Sequence, residues 1–343
     1  MNILVTGNLG YIGTVLVPML KDLGHNVTGY DIGYFKNCLL TKTISSNHQF
    51  IGDIRKIEAE NLINCDAVIH LAGLSNDPLG ELNPSLTYDI NFGGTIRIAE
   101  LAKKAGVGRF IFASSQSIYG ISDTSSEIDE YESIKAPVTE YAKTKWLAEI
   151  ELNKLCDDNF HVVSFRPSTV FGASPRLRCD IVYNNFLGCA YTMNRIEIKS
   201  DGTPWRPVVH IKDVNNAFIS GILAPKDIVS GRAFNVGILN GNYTVRDIAE
   251  AAAKILPKSD IVYTGEYGND ERTYRVSFNR IFNELGNFYK PTFDLTSGGK
   301  ELLELFHRSH FNYEQFTGPI TNRLKKINEM IQNGELSHNL DWI

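Results

Sequence analysis

Paired cysteines are missing from this chain. Cys38, Cys65, Cys156, Cys179 and Cys189 are five in 343 residues and share no short paired spacing, so a disulfide framework is not expected and the thiols read as reduced packing residues. Cys179 and Cys189 bracket a short segment, but not at a metal spacing, and the eight histidines form no HxH or HExxH arrangement; no metal is expected. No apolar run approaches the length needed to cross a bilayer, and no charged leader precedes an apolar stretch, so no membrane partner and a cytoplasmic protein are expected. A long basic run is lacking too. Lys325 and Lys326 beside Arg323 read as a solvated helix face, and the net charge of -5 with a pI near 5.9 argues against nucleic acid as a partner. Internal repeats, low-complexity tracts and a linker that would release a third domain are likewise absent.

What is present is enough apolar sequence, 43%, to bury a large core. Strand-like runs at 2–6, 26–30, 48–51, 66–71, 109–114 and 160–166 alternate with helix-like ones. That alternation predicts an α/β fold, a doubly wound parallel sheet. The crossover stretches at 84–105 and 140–157 carry apolar residues at helical spacing, Ile98, Leu101 and Ala105 in one and Trp146, Ile150 and Leu155 in the other, which reads as core. A last helix is predicted over 321–332, with Leu324, Ile327 and Ile331 on one side.

The first strand runs straight into Thr6-Gly7-Asn8-Leu9-Gly10-Tyr11-Ile12-Gly13 and then into a helical pattern through Leu16, Met19 and Leu20. Glycines at 7, 10 and 13 allow a tight turn and close approach of a pyrophosphate to the positive end of the helix. The second strand ends at Asp31, eighteen residues after Gly13. A carboxylate there accepts hydrogen bonds from the adenosine ribose hydroxyls and repels a 2′-phosphate, which favours NAD over NADP. Farther on, Tyr141 and Lys145 stand four apart, so on a helix both project from one face. A fixed ammonium beside a phenol favours the phenolate and brings proton abstraction from an alcohol within reach. The same spacing alone would equally describe a solvated helix face.

With these motifs in order, the chain resembles the extended short-chain dehydrogenase/reductases of the nucleotide-sugar epimerase and dehydratase family, over most of its length. Further motifs carry the resemblance: Gly52-Asp53-Ile54-Arg55, His70-Leu71-Ala72-Gly73, Asn91 ahead of Gly94-Thr95, and Ser114-Ser115-Gln116-Ser117-Ile118-Tyr119-Gly120. The resemblance implies that Gly7, Gly10, Tyr11, Ile12, Gly13, Asp31, Asp53, Ile54, Leu71, Ala72, Gly73, Asn91, Ser114, Tyr141 and Lys145 hold NAD. It places the catalytic groups at Ser115, Tyr141 and Lys145. After Arg166, the stretches Arg166 to Gly172, Ser174 to Arg178, Trp205 to Asp213 and Asp270 to Arg275 resemble the substrate-binding portion. Ser115, Gln116, Thr169, Arg176, Arg206, Arg272 and Arg275 are its implied substrate contacts, with Arg206 foremost because a guanidinium suits a diphosphate. His210 and Asp213 are expected to orient their segment rather than to react. The implied organisation is a Rossmann domain over 1–170 and a smaller α/β domain over 171–343 that binds the nucleotide sugar, with some segments returning to the first. A homodimer paired through the two crossover helices is also implied.

The reaction implied is hydride transfer at a sugar carbon, C4 in the family's usual case, through a ketosugar. Return of hydride to the opposite face gives an epimerase, release of the ketone a net dehydrogenase, and the reverse direction a ketoreductase. The 4,6-dehydratases of the family carry an acidic pair just after the catalytic hydroxyl, where this chain has Gln116 and Ser117; dehydration is disfavoured. Thr169 stands where many members, UDP-galactose 4-epimerases among them, have asparagine, and the surrounding run looks more like a branch acting on deoxyhexoses or heptoses of surface polysaccharides. A non-catalytic NAD sensor is the competing class, opposed by the presence of all three of Ser115, Tyr141 and Lys145. A dehydrogenase of a small non-nucleotide alcohol is opposed by the Arg206 segment. The polar stretch 122–127 reads either as part of the sugar pocket or as a surface connection.

Overall fold

The computed structural model describes residues 1–75, 77–122, 124–265 and 273–343. Seven strands form one parallel sheet: β1 (Asn2–Thr6), β2 (Asn26–Asp31), β3 (His48–Ile51), β4 (Ala67–His70), β5 (Arg109–Ala113), β6 (His161–Pro167) and, from far along the chain, β10 (Arg232–Val236). Their order is β10-β6-β5-β4-β1-β2-β3. The central strands are apolar almost throughout because helices cover both faces.

One face buries Leu16, Leu20, Ala217 and Phe218 from the helices Gly13–Asp22 and Ile211–Leu223. The other buries Ile98, Ala102, Ala148 and Leu152 from the helices Gly94–Lys104 and Glu140–Leu155. The second of these crossovers does not bury the face expected of it. Trp146, Ile150 and Leu155 are only half-buried, and the inward face is Ala142, Lys145, Ala148, Glu149 and Leu152. Apolar spacing misreads this helix because its two inward charges are compensated by partners brought from elsewhere in the chain. The first crossover is one continuous coil from Pro84 to Lys104 with a wider π turn at Tyr88–Gly93, and its last predicted apolar position, Ala105, is exposed.

Two smaller sheets complete the chain. β7 (Thr169–Phe171), β9 (Trp205–His210) and β11 (Asn242–Thr244) form one, and β8 (Arg195–Ile198) pairs with β12 (Asp260–Tyr263) in the other. They pack with the helices Val182–Met193, Val245–Ile255 and Leu295–Arg308 around Phe171, Leu187, Ile196, Ile248 and Phe306. The last helix, Arg323–Gln332, returns to the first sheet's core through Ile327 and Met330. Among the described residues no helix is long and apolar enough to cross a membrane, and all five cysteines are unpaired.

Candidate active site

The C-terminal ends of β1, β2, β4 and β5 open onto a cavity of about 1050 Å³, closed on the far side by residues of β7 to β9 and the segments around them. Ligands of open α/β sheets bind at this edge, beside the point where strand order reverses, here between β1 and β4. The volume lies at the upper end of the range for ligand pockets.

At the β1 end, Gly7 has φ +70°, and a Cβ there would stand 2.8 Å from the Ala72 nitrogen. A Cβ on Gly13 would fall 2.5 Å from the Gly7 carbonyl oxygen. Only glycine allows the helix to start this close to the strand, leaving its N-terminus facing the cavity. Gly7, Gly10, Tyr11, Ile12 and Gly13 all line it. Asp31 follows β2; its carboxylate accepts from Leu9 N at 3.1 Å and Gly33 N at 2.7 Å. Burial raises its pKa, and these two amides oppose that shift. Asp53, Ile54, Leu71, Ala72, Gly73 and Ser114 are also on the wall. Asn91 is not. It lies buried behind it, holding Leu74 through N–H···Oδ1 at 2.7 Å and Nδ2–H···O at 3.1 Å, and so shapes the Gly73–Leu74 backbone. This cradle, with its open helix terminus and paired loops, fits a dinucleotide.

Tyr141 and Lys145 occupy the inward face of their helix, which starts where Thr139 caps the amide of Ala142 at 3.3 Å. Lys145 Nζ lies 5.9 Å from the Tyr141 ring centroid, donates to the Ala113 carbonyl at 2.7 Å and rests over Phe112. Burial pushes its pKa down to about 8, against a smaller upward pull from Glu149. One turn farther, Glu149 accepts from Ser114 Oγ and is paired with Arg166, Nη2 to Oε2 at 2.6 Å. Ser115 follows β5 and accepts from Ser117 N at 3.1 Å and Ser117 Oγ at 2.8 Å, which leaves its own O–H for a ligand oxygen. Ser115, Tyr141 and Lys145 therefore share one wall.

The expected substrate contacts divide. Thr169 and Arg206 line the cavity, Arg206 donating to the Trp205 carbonyl at 2.9 Å. Gln116 does not reach it: the side chain is buried and its Nε2 donates to the Arg166 carbonyl at 3.1 Å. Arg176 is turned away as well, its guanidinium donating to the carbonyls of Phe35 and Lys36. Arg275 lies over Trp205 at 5.0 Å and pairs with Glu127 at 3.3 Å, while Arg272 lies outside the described residues. Among the described residues of the 122–127 stretch none is on the wall, but Ile128 beside it bridges to Val276 and so fixes the segment carrying Tyr274, which is. His210 and Asp213 hold Glu301 and the amides of Thr292 and Phe293.

Several wall residues escaped the sequence reading. Arg178 is buried, paired with Asp180 at 2.9 Å through two nitrogens, and donates to Ser75 Oγ at 3.4 Å. Asn185, Phe186, Glu197 and Lys199 line the cavity as well. Arg323 is on the wall too and is 2% exposed, not part of a solvated face. Its spacing to Ile327 and Met330 was the available signal, because those three, not Leu324 and Ile331, are the helix's fully buried positions.

A parallel sheet ending in a glycine cradle and an aspartate after the second strand, with a serine, tyrosine and lysine lining the same cavity, is the arrangement of an extended short-chain dehydrogenase/reductase. Residues 3–237 match the NAD dependent epimerase/dehydratase family, and the chain belongs to that family of NAD-dependent enzymes. It is 26% identical over 295 residues to the UDP-glucose 4-epimerase of Bacillus subtilis, covering 75% of this chain and 83% of that one. To the UDP-glucuronate 4-epimerase of Thermodesulfobacterium geofontis it is 29% identical over 272 residues, covering 74% and 80%. The solved structure of MoeE5 in complex with UDP-glucose and NAD superposes with a TM-score of 0.76 at 25% identity, covering 90% of this chain and all of that one.

Proposed function

We propose that the protein oxidises a nucleotide-diphosphate sugar at C4 to a ketosugar and returns hydride to the opposite face, as a 4-epimerase. The observation that carries this reading is that Ser115, Tyr141 and Lys145 line the same cavity of about 1050 Å³ as the glycine cradle, Thr169 and Arg206. Bound NAD supplies the hydride acceptor and donor. Tyr141, as phenolate, takes the proton of the sugar hydroxyl as its carbon loses hydride, and gives it back when the ketone is reduced. Lys145 stabilises the phenolate, and Ser115 donates to the reacting oxygen, where negative charge grows. Arg206, with its fixed charge, binds the diphosphate and Thr169 the sugar.

The two relatives named are both 4-epimerases, which supports C4 as the reacting carbon. A net 4-dehydrogenase or ketoreductase uses the same groups and differs only in which ligand leaves first. Surface-polysaccharide synthesis, with deoxyhexose or heptose substrates, is the proposed setting and the cytoplasm the proposed compartment. A homodimer through the helices Gly94–Lys104 and Glu140–Leu155 is the proposed assembly; exposed Tyr88 and Leu147 leave apolar surface there, and light scattering of the purified chain checks it.

Incubating the enzyme and NAD with UDP-, GDP-, CDP- and dTDP-sugars, followed by mass spectrometry and chromatography, tests the proposal. An isomer of unchanged mass supports epimerisation. A product lighter by two hydrogens assigns the net dehydrogenase instead, and no conversion of any sugar would overturn the nucleotide-sugar reading.

A further inference from the structure

Arg323 is the first residue of the helix Arg323–Gln332 and is almost wholly buried. Its Nη2 donates to the Arg176 carbonyl at 3.0 Å, and its guanidinium lies 4.4 Å over the Phe35 ring. Its Nη1 is buried with no hydrogen-bond partner among the described residues, yet the side chain lines the cavity. A charged donor buried in this way is costly unless a ligand supplies the acceptor. Burial and the like charges of Arg178 and Arg176 depress its pKa to about 10, which still leaves it cationic at neutral pH. Arg178 differs in pairing directly with Asp180 at 2.9 Å, whereas that carboxylate acts on Arg323 only through its field.

The surroundings locate the missing acceptor. Arg176 N donates to Ser174 Oγ at 3.2 Å, and Ser174 Oγ donates to the Tyr11 carbonyl at 2.8 Å. That chain of contacts links the segment holding Arg323 to the glycine turn, and both line the same cavity. Phe35 lies under the Arg323 guanidinium, whose charge also reaches Asp31, the residue read as the ribose partner. The tail beyond Arg323 clamps the loops that follow β2 and β3: Trp342 Nε1 donates to the Ile32 carbonyl at 3.0 Å, Tyr34 O–H donates to the Leu340 carbonyl, and Asp341 faces Arg55 and Lys56 at 3.6 and 3.5 Å.

We propose that Arg323 binds the diphosphate of the dinucleotide, and that the tail beyond it is an anchor on which retention of the dinucleotide depends. The proposal rests on the reading of this half of the cavity as the NAD site.

Calorimetric titration of the full chain, stripped of nucleotide, with NAD, NADP, ADP and adenosine tests it. Arg323→Ala is expected to weaken NAD and ADP by about 10- to 100-fold, with adenosine changed by less than about threefold and Arg323→Lys intermediate. Trp342→Ala is expected to weaken all adenosine-containing ligands alike, since it loosens the walls and leaves the cation in place. NAD and ADP affinities unchanged in Arg323→Ala would overturn the assignment. An equal loss for adenosine would reduce Arg323 to a structural role, and a loss confined to NADP would move it to a 2′-phosphate site. Should Arg323→Ala fail to fold, Arg323→Lys and Arg323→Gln carry the same comparison of ADP with adenosine. Failure of the wild type to bind any of the four ligands would instead overturn the NAD reading on which the proposal rests.

Discussion

Glu149 and Arg166 form a buried ion pair one helical turn behind Lys145, 5% and 3% exposed, with Nη2 2.6 Å from Oε2. Arg166 also donates to Tyr119 O–H at 2.9 Å, and Tyr119 donates to Asn235 Oδ1 at 2.8 Å. The pair thus ties the catalytic helix to β6 and through Tyr119 to β10, and places a carboxylate near the lysine. Removing one partner leaves an uncompensated charge in the core. Glu149→Gln is expected to cost roughly 3–5 kcal/mol, read from urea denaturation, and Glu149→Gln with Arg166→Met to recover part of it.

In the proposed mechanism, Tyr141→Phe removes the proton acceptor and little else. Turnover is expected to fall by at least about a hundredfold, because general-base catalysis contributes at that scale or above, while NAD affinity stays near the wild-type value. Ser115→Ala is expected to be milder. Steady-state kinetics with calorimetric NAD titration separates chemistry from cofactor binding, and an NAD sensor would keep its response in both variants.

Burial of Lys145 carries a cost in stability. Its folded pKa of about 8 lies below the ordinary 10.5, so between these values the unfolded chain holds a proton that the folded one lacks, and stability rises with pH. Below pH 8 the full penalty applies, up to roughly 3 kcal/mol. Lys145→Met is expected to lose activity, to be no less stable than wild type at pH 7, and to lack the upward slope above pH 8. Chemical denaturation at several pH values shows whether the slope is there.

Acid sensitivity is assigned to His70. It is wholly buried between Thr6 Oγ1 at 2.7 Å and Thr95 Oγ1 at 2.8 Å, and burial, with the charge of Lys145, pushes its pKa down to about 3. The unfolded histidine takes up a proton below its ordinary 6.5 and the folded one does not. Stability is therefore whole above pH 6.5 and is lost as pH falls toward 3, by up to about 1.4 kcal/mol per pH unit. His70→Gln, compared with its own stability at pH 7, is expected to show a shallower acid slope.

Most of the nucleotide-binding half was legible, because its signals are local. Apolar runs located six strands of the large sheet, and Gly7, Gly13, Asp31, Tyr141 and Lys145, read from spacing within single loops or helices, and Ser115, read from the family resemblance, all line the cavity. What escaped depends on distant parts of the chain meeting. β10 is a five-residue strand whose partner β6 lies some seventy residues earlier, and nothing near Arg232 marks it. Arg176 and Arg178 sit two apart in one motif, yet the first turns to a loop and the second to the cavity. The inward face of the helix Glu140–Leu155 was only partly legible, since the carboxylate of Glu149 is buried there by Arg166, which comes from the strand β6.

The central claim is that the sugar carbon itself gives up hydride in the cavity beside Tyr141. The most direct test uses a nucleotide sugar that the enzyme converts, prepared with deuterium on C4, and follows the label by mass spectrometry. The account predicts that deuterium leaves C4 in wild type, reappearing at C4 of the inverted isomer or on reduced cofactor, and stays in place with Tyr141→Phe. Conversion of the sugar with every deuterium still on its original face of C4 would contradict it.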